Sequence, residues 1–199
     1  MGLAFCLALA APIPALSEAS PGITPGSAGA QTVALVASLR ARILAAHSAT
    51  AALEAWCAEH RMAGEARLVA QRQAVADKPL TVEQRARLAI GPDEPVRYRR
   101  VRLACGERVM SEADNWYVPA RLTPEMNATI DSTRTPFGRV VAPLSPSRHT
   151  VSVRPFAAPG EAGRDAPLFA VEAVLLTGAG EPFCEVAEVY LGGALPESP

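Results

Sequence analysis

The sequence predicts an α+β domain in which six or seven antiparallel strands form one sheet and the helices pack mainly on one side. Helical patterns come first in the chain, and extended segments then follow in pairs joined by short, glycine-containing links. Links of this kind connect antiparallel strands, whereas parallel strands need long crossover connections. Helices grouped ahead of hairpins are typical of α+β domains rather than of a parallel α/β sheet.

The composition fits one packed domain with an N-terminal extension. Of the 199 residues, 49% are apolar, which is enough for a core. Acidic and basic residues nearly cancel, with a formal net charge of −1, and this argues against a nucleic-acid partner, which would require a basic face. The four cysteines form no CxxC pair and the three histidines are scattered, so nothing calls for a metal or an organic cofactor.

Residues 1–19 resemble a signal peptide, because an Ala- and Leu-rich run is followed by small and polar residues. The run is short and interrupted by proline, so we expect no integral membrane span. Residues 20–30 are rich in Gly, Pro and Ser and predict a flexible linker before a domain over residues 31–199. The protein would be periplasmic or secreted if this segment is a cleaved signal, and cytoplasmic if it is only a tail.

The first structured elements are predicted to be two helices. Residues 32–46 place their apolar side chains near one helical face. Ser48 or Thr50 can cap a second helix that ends near Gly64. His47 and His60 lie on these helices and are expected to face solvent. Residues 65–74 follow as a first strand, and Thr81 with Gln84 forms a capping box for a short helix.

The central hairpin joins residues 96–105 to residues 109–118. Alternation places Arg99 on the same face as apolar side chains, whereas Tyr98 and Arg100 lie on a face that we interpret as solvated. An unpaired charge in an apolar interior costs several kcal/mol. Arg99 therefore needs an anionic partner, unless it lies at a sheet edge and reaches water.

The second half of the chain alternates turns with extended segments. Thr123 caps a helix that begins with Pro124. The patterns then predict a turn and four strands: turn 135–138, and strands 139–144, 148–156, 167–176 and 183–191. Cys105 and Cys184 both fall in strand patterns, so burial is expected. A disulfide between them would require an oxidising compartment.

Several short motifs occur in the order that is typical of one enzyme family. The motifs are Arg99–Gly106, Val118–Pro119, Thr135–Arg139, Arg148, Gly180–Pro182 and Glu188–Leu191. With this order and spacing, the region Glu65–Leu191 resembles the chorismate lyases. The resemblance implies an antiparallel sheet with helices on one side and an enclosed ligand cavity.

The resemblance also implies a reaction, in which chorismate loses pyruvate to give 4-hydroxybenzoate. Arg99 would bind the product carboxylate, and the backbone of Phe137 would lie against the same group. Glu188 would face the ring oxygen and serve as the catalytic acid, whereas Arg148 is a second cation for the enolpyruvyl carboxylate. The alternatives are that Glu188 pairs with an arginine such as Arg99, and that Arg148 is a solvated strand end.

One position departs from the family pattern. Asp114 follows Ala113 where the family usually has Gly. Its backbone amide could contact the ligand, but its carboxylate would repel an anion unless it points away. A signal-like start also conflicts with a substrate made in the cytoplasm. The alternative function is therefore a binding protein of the same fold, a monomer that holds a small aromatic carboxylate without turnover.

Overall fold

A computed structural model describes residues 1–2, 25–156 and 163–197. The helices are α1 (Pro25–Ala45), α2 (Ala49–Glu59), α3 (Val82–Arg87), α4 (Pro124–Ser132) and α5 (Phe137–Val140). The strands are β1 (Leu68–Arg72), β2 (Arg97–Cys105), β3 (Arg108–Tyr117), β4 (Ser147–Pro155), β5 (Pro167–Leu176) and β6 (Pro182–Leu191). Within these ranges, no helix is long and apolar enough to cross a membrane.

The N-terminal predictions fall largely outside the described residues. Most of the predicted signal peptide lies in residues 3–24, which are outside the described ranges. Helix α1 begins at Pro25, so residues 25–30, predicted as linker, are helical.

The six strands form one antiparallel sheet in the order β1-β2-β3-β6-β5-β4. This arrangement confirms the predicted α+β class and both predicted hairpins. Gly106 links β2 to β3 with φ +56°, a conformation that glycine adopts without steric penalty. The pairing of β3 with β6 joins the two hairpins and places residues from distant parts of the chain side by side.

Four helices cover one face of the sheet. Helices α1 and α2 bury Leu39, Leu53 and Trp56 against the middle of the sheet, and α4 and α5 pack beside them. The Ser48 side chain caps α2 by accepting a hydrogen bond from the Ala51 amide (3.3 Å). Trp56 Nε1 donates to the Ala194 carbonyl (2.8 Å), which ties α2 to the C-terminal segment. The helices therefore form the roof of any cavity above this face.

The opposite face of the sheet is partly covered, which corrects its interpretation as solvated. Tyr98 is 9% exposed and Trp116 is 6% exposed. Trp116 Nε1 donates to the Lys78 carbonyl (2.8 Å), and Arg87 on α3 pairs with the buried carboxylate of Glu185. Residues 73–96, including α3, therefore lie across this face.

The strand predicted over residues 139–144 is wrong, because α5 extends to Val140 and turns follow it. Helix α5 is followed by a 3₁₀ turn at Ala142–Leu144. Phe137 and Val141 are both buried, and a separation of four residues places two side chains on the same helical face. Burial at that spacing favours the helical turns over the predicted strand.

A disulfide joins Cys57 of α2 to Cys105 at the end of β2. A bond between Cys105 and Cys184 is excluded by the sheet register, because Cys184 lies in line with Arg97, at the other end of β2. Eight residues of strand separate the two positions by about 26 Å, whereas a disulfide needs Cα atoms within about 7 Å. Cys184 is a buried free thiol whose pKa is raised by burial.

Candidate functional site

A cavity of about 60 Å³ lies between the sheet and the helices α2 and α5. Its floor is formed by alternate side chains of β2, β3 and β6, and its roof by residues that begin α2 and α5. Most of its wall is apolar. The polar side chains that line it are His47, Ser48, Thr50, Asn115, Arg148 and Glu188.

The cavity continues outward into an open groove of about 780 Å³. His47, Ser48, Thr50, Gly138 and Pro146 line both spaces, so the groove is the entrance to the cavity. A cavity that holds a benzene ring measures about 150 Å³, and one water occupies about 30 Å³. The inner cavity thus has room for a carboxylate group, and a ring attached to it would extend toward the groove.

Glu188 lies on the floor of the cavity and is 3% exposed. The Ser111 hydroxyl donates to its Oε1 (2.7 Å), and the Tyr190 hydroxyl donates to its Oε2 (2.8 Å). Burial and the neighbouring Glu188 charge raise the pKa of Tyr190 well above its ordinary value. Tyr190 therefore remains a neutral donor that fixes the Glu188 carboxylate.

Arg148 on β4 reaches the same cavity, and its side chain is only 3% exposed, so it is not a solvated strand end. Nη1 donates to the Ile43 carbonyl (3.3 Å) at the end of α1. Nη2 lies 3.9 Å from Oε2 of Glu188 and has no hydrogen-bond partner among the described residues. Arg148, rather than Arg99, is therefore the cation paired with Glu188.

Arg99 is buried on the same face but does not line the cavity. It is 2% exposed, which excludes a sheet-edge position in water. Within the described part of the chain, its Nε and Nη1 have no hydrogen-bond partner, and burial lowers its pKa, as does the nearby charge of Arg72. Its cross-strand neighbour Asn115 does line the cavity. Arg99 is therefore an unpaired buried cation next to the cavity wall.

Asp114 points to the opposite face of the sheet. Lys78 Nζ donates to its Oδ2 (2.5 Å), and the Tyr98 hydroxyl donates to its Oδ1 (2.5 Å). Burial and the Asp114 carboxylate raise the pKa of Tyr98 to about 12. The Asp114 carboxylate is thus neutralised away from the cavity, which is lined at this point by Ala113.

Phe137 lines the cavity, and its neighbour Gly138 brings α5 against the start of α2. A Cβ atom at Gly138 would lie 2.7 Å from Thr50 Oγ1 and 3.1 Å from Ser48 Oγ. This close approach places Ser48 and Thr50 at the cavity.

Sequence reasoning missed His47, Ser48 and Thr50 as cavity residues. His47 is exposed, as expected, and it lines both the cavity and the groove. The capping signal at Ser48 located the start of α2, but no local pattern shows that this helix end covers the sheet.

Comparison with known proteins gives one close relative and several distant structures. No family model matches the sequence. The structure of PhnF from Mycobacterium smegmatis is similar to this chain with a TM-score of 0.48 and 12% sequence identity. The match covers 65% of this chain and 60% of PhnF, so this chain spans less than two thirds of the length of PhnF. A GntR-family transcriptional regulator of Enterococcus faecalis has a TM-score of 0.45 and 13% identity, over 65% of this chain and 98% of that one. The uncharacterized protein y4mC of Sinorhizobium fredii is 41% identical over an alignment of 182 residues, and the match covers 83% of this chain and 77% of y4mC. The chain therefore belongs to the same protein family as y4mC.

Proposed function

We propose that this protein binds a small aromatic carboxylate, with the anionic group in the inner cavity against Arg148. One observation carries the proposal: Arg148 lines the cavity, and its buried Nη2 has no hydrogen-bond partner among the described residues. Glu188 offers charge compensation at 3.9 Å but no hydrogen bond. A ligand carboxylate would supply the missing acceptor, and bonds between guanidinium and carboxylate are among the strong ones.

The size and lining of the cavity support a particular orientation. The carboxylate fits the inner 60 Å³, whose wall includes Phe137 and Val141. The ring then extends toward the groove, where Pro146 and Leu176 offer apolar contacts. Arg99, behind Asn115, adds positive potential to the same side of the sheet. The opposite orientation would place an aromatic ring in a space smaller than the ring requires.

Calorimetric titration with 4-hydroxybenzoate and benzoate tests this function. Removing one partner of a buried charge pair typically costs about 2–5 kcal/mol of binding, so Arg148→Ala should weaken binding by at least about thirtyfold. Arg154→Ala is the matched control, because Arg154 lies on the same strand and is exposed. Equal affinities for the wild type and Arg148→Ala would reject the assignment.

Elimination of pyruvate from chorismate is the second candidate, favoured by the position of Glu188 beside Arg148 in the cavity. The reaction breaks the ether bond to the ring and one ring C–H bond. The Glu188 carboxylate can take the ring proton and return it to the departing enolpyruvyl group, which leaves as pyruvate. The inner cavity would have to widen for the chorismate ring to reach Glu188. Incubation with chorismate, followed by ultraviolet detection of 4-hydroxybenzoate, tests the reaction. Activity that Glu188→Gln abolishes would favour the enzyme, and saturable binding without product would favour the binding protein.

A further inference from the structure

The charges that face the cavity nearly cancel. Arg148 and Glu188 carry opposite charges and lie 3.9 Å apart. An incoming carboxylate would be attracted by one and repelled by the other, at similar range. Strong anion binding therefore needs another source of positive potential on the cavity wall, on the side away from Glu188.

The N-terminus of α2 lies on that wall. His47, Ser48, Ala49 and Thr50 all line the cavity. The first amides of a helix have no carbonyl partner within the helix, and a helix N-terminus behaves like roughly half a positive charge. The side-chain oxygen of Ser48 accepts from Ala51, and its carbonyl accepts from Ala52. The amides of Ala49 and Thr50 are the first-turn donors that remain for a ligand.

A second observation points to the same place. Nη1 of Arg148 is held by the carbonyl of Ile43, just before the link from α1 to α2. This contact holds the guanidinium near the C-terminal end of α1 and leaves Nη2 as a buried, unpartnered donor within the described structure. The start of α2 and Arg148, which carries an unpartnered donor, therefore line one small cavity.

We infer that the first turn of α2, through the amides of Ala49 and Thr50, forms an anion site together with Nη2 of Arg148. The inference deepens the proposed function and rests on it for the aromatic part of the ligand. The site is held rigidly, because Gly138 packs against Thr50 and the Cys57–Cys105 disulfide ties α2 to the sheet. Rigid donors need little reordering when the anion binds.

One substitution can remove an amide without breaking the helix. Ala49 is the first residue of α2, and proline is well accepted at this position. Ser48 before it is extended (φ −132°, ψ 115°), a conformation that suits the residue preceding proline. Val82→Pro is the matched control, because Val82 is the first residue of α3 and is 81% exposed.

The test combines calorimetry with amide NMR, using acetate and 4-hydroxybenzoate as separate probes. In the wild type, both anions should shift the Ala49 and Thr50 amide signals. Ala49→Pro should weaken the binding of acetate and of 4-hydroxybenzoate by about tenfold or more, because one hydrogen bond to a charged group is lost. Val82→Pro should leave both affinities unchanged. If the Ala49→Pro variant has a much lower melting temperature than the wild type, the presence or absence of amide shifts in the wild type alone decides whether the α2 site exists.

The outcomes separate the two proposals. Unchanged α2 amide signals with both anions, or wild-type affinity in a folded Ala49→Pro variant, would overturn the α2 site. If Arg148→Ala nevertheless weakened the binding of 4-hydroxybenzoate, the proposed function would stand without the α2 site. Amide shifts with acetate, but no binding of 4-hydroxybenzoate, would support the α2 site and reject the aromatic ligand.

Discussion

Replacing Gly138 by alanine should separate α5 from the start of α2, where both helices line the cavity. The added Cβ would lie 2.7 Å from Thr50 Oγ1, 3.1 Å from Ser48 Oγ and 3.3 Å from Thr50 Cβ. Non-bonded heavy atoms are most favourably placed at about 3.5–4.0 Å. The Thr50 side chain is only 7% exposed and has little room to move away, so the helices themselves must shift.

Two opposing effects set the magnitude. Alanine is favoured over glycine within a helix by about 0.8–1.0 kcal/mol. Overpacking a well-packed site costs about 1–3 kcal/mol. The net loss of unfolding free energy should therefore be modest, and the crowding itself is better measured by combining Gly138→Ala with Thr50→Ala. The second substitution removes the closest contact, so Gly138→Ala should be less destabilising in that background by about 1 kcal/mol or more.

This coupling energy is measured by urea denaturation of the wild type, both single variants and the double variant. The preference of alanine over glycine in a helix cancels, because it contributes equally in both backgrounds. Additive effects within about 0.5 kcal/mol would refute the contact between α5 and the start of α2. Calorimetry on the same proteins should show weaker binding of 4-hydroxybenzoate in the Gly138→Ala variant, since the crowding displaces the cavity roof.

Three further predictions concern stability. The Cys57–Cys105 disulfide closes a loop of 48 residues, so its reduction should lower the free energy of unfolding by up to about 4 kcal/mol. Urea denaturation tests this, and an unchanged midpoint would contradict a stabilising link. Arg99→Met should stabilise the ligand-free protein by about 1–4 kcal/mol, since it removes an unpaired buried charge, whereas a loss of stability would reveal a partner for Arg99. Burial alone would raise the pKa of Glu112, but hydrogen bonds from Arg100 and Arg102 lower this pKa below 4.5. The ionised Glu112 therefore stabilises the fold above pH 4.5, and this stabilisation is lost as the pH falls through the lowered pKa. Glu112→Gln should therefore lose less stability than the wild type on acidification below 4.5, and parallel acid unfolding curves would count against this pairing.

The parts of the fold that depend on neighbouring residues follow well from the sequence. The capping box of Thr81 and Gln84 marks the start of α3, and Thr123 with Pro124 marks the start of α4. Both hairpins follow from strand patterns joined by short links. These signals work because each structure is stabilised by residues a few positions apart.

Features that depend on packing between distant segments do not follow in the same way. The pairing of Cys57 with Cys105 depends on where α2 lies over β2, which no local pattern specifies. The same contact brings His47 to the cavity. Strand alternation correctly places Arg99 on the inner face, but only the packing of the helices leaves Arg148, not Arg99, in the cavity.

A crystal structure of the protein saturated with 4-hydroxybenzoate tests the central claim most directly. We expect electron density for the carboxylate in the inner cavity, with an oxygen within about 3.2 Å of Nη2 of Arg148 and the ring directed toward the groove. Density for the ligand outside this cavity, or a carboxylate that points away from Arg148, would contradict the claim.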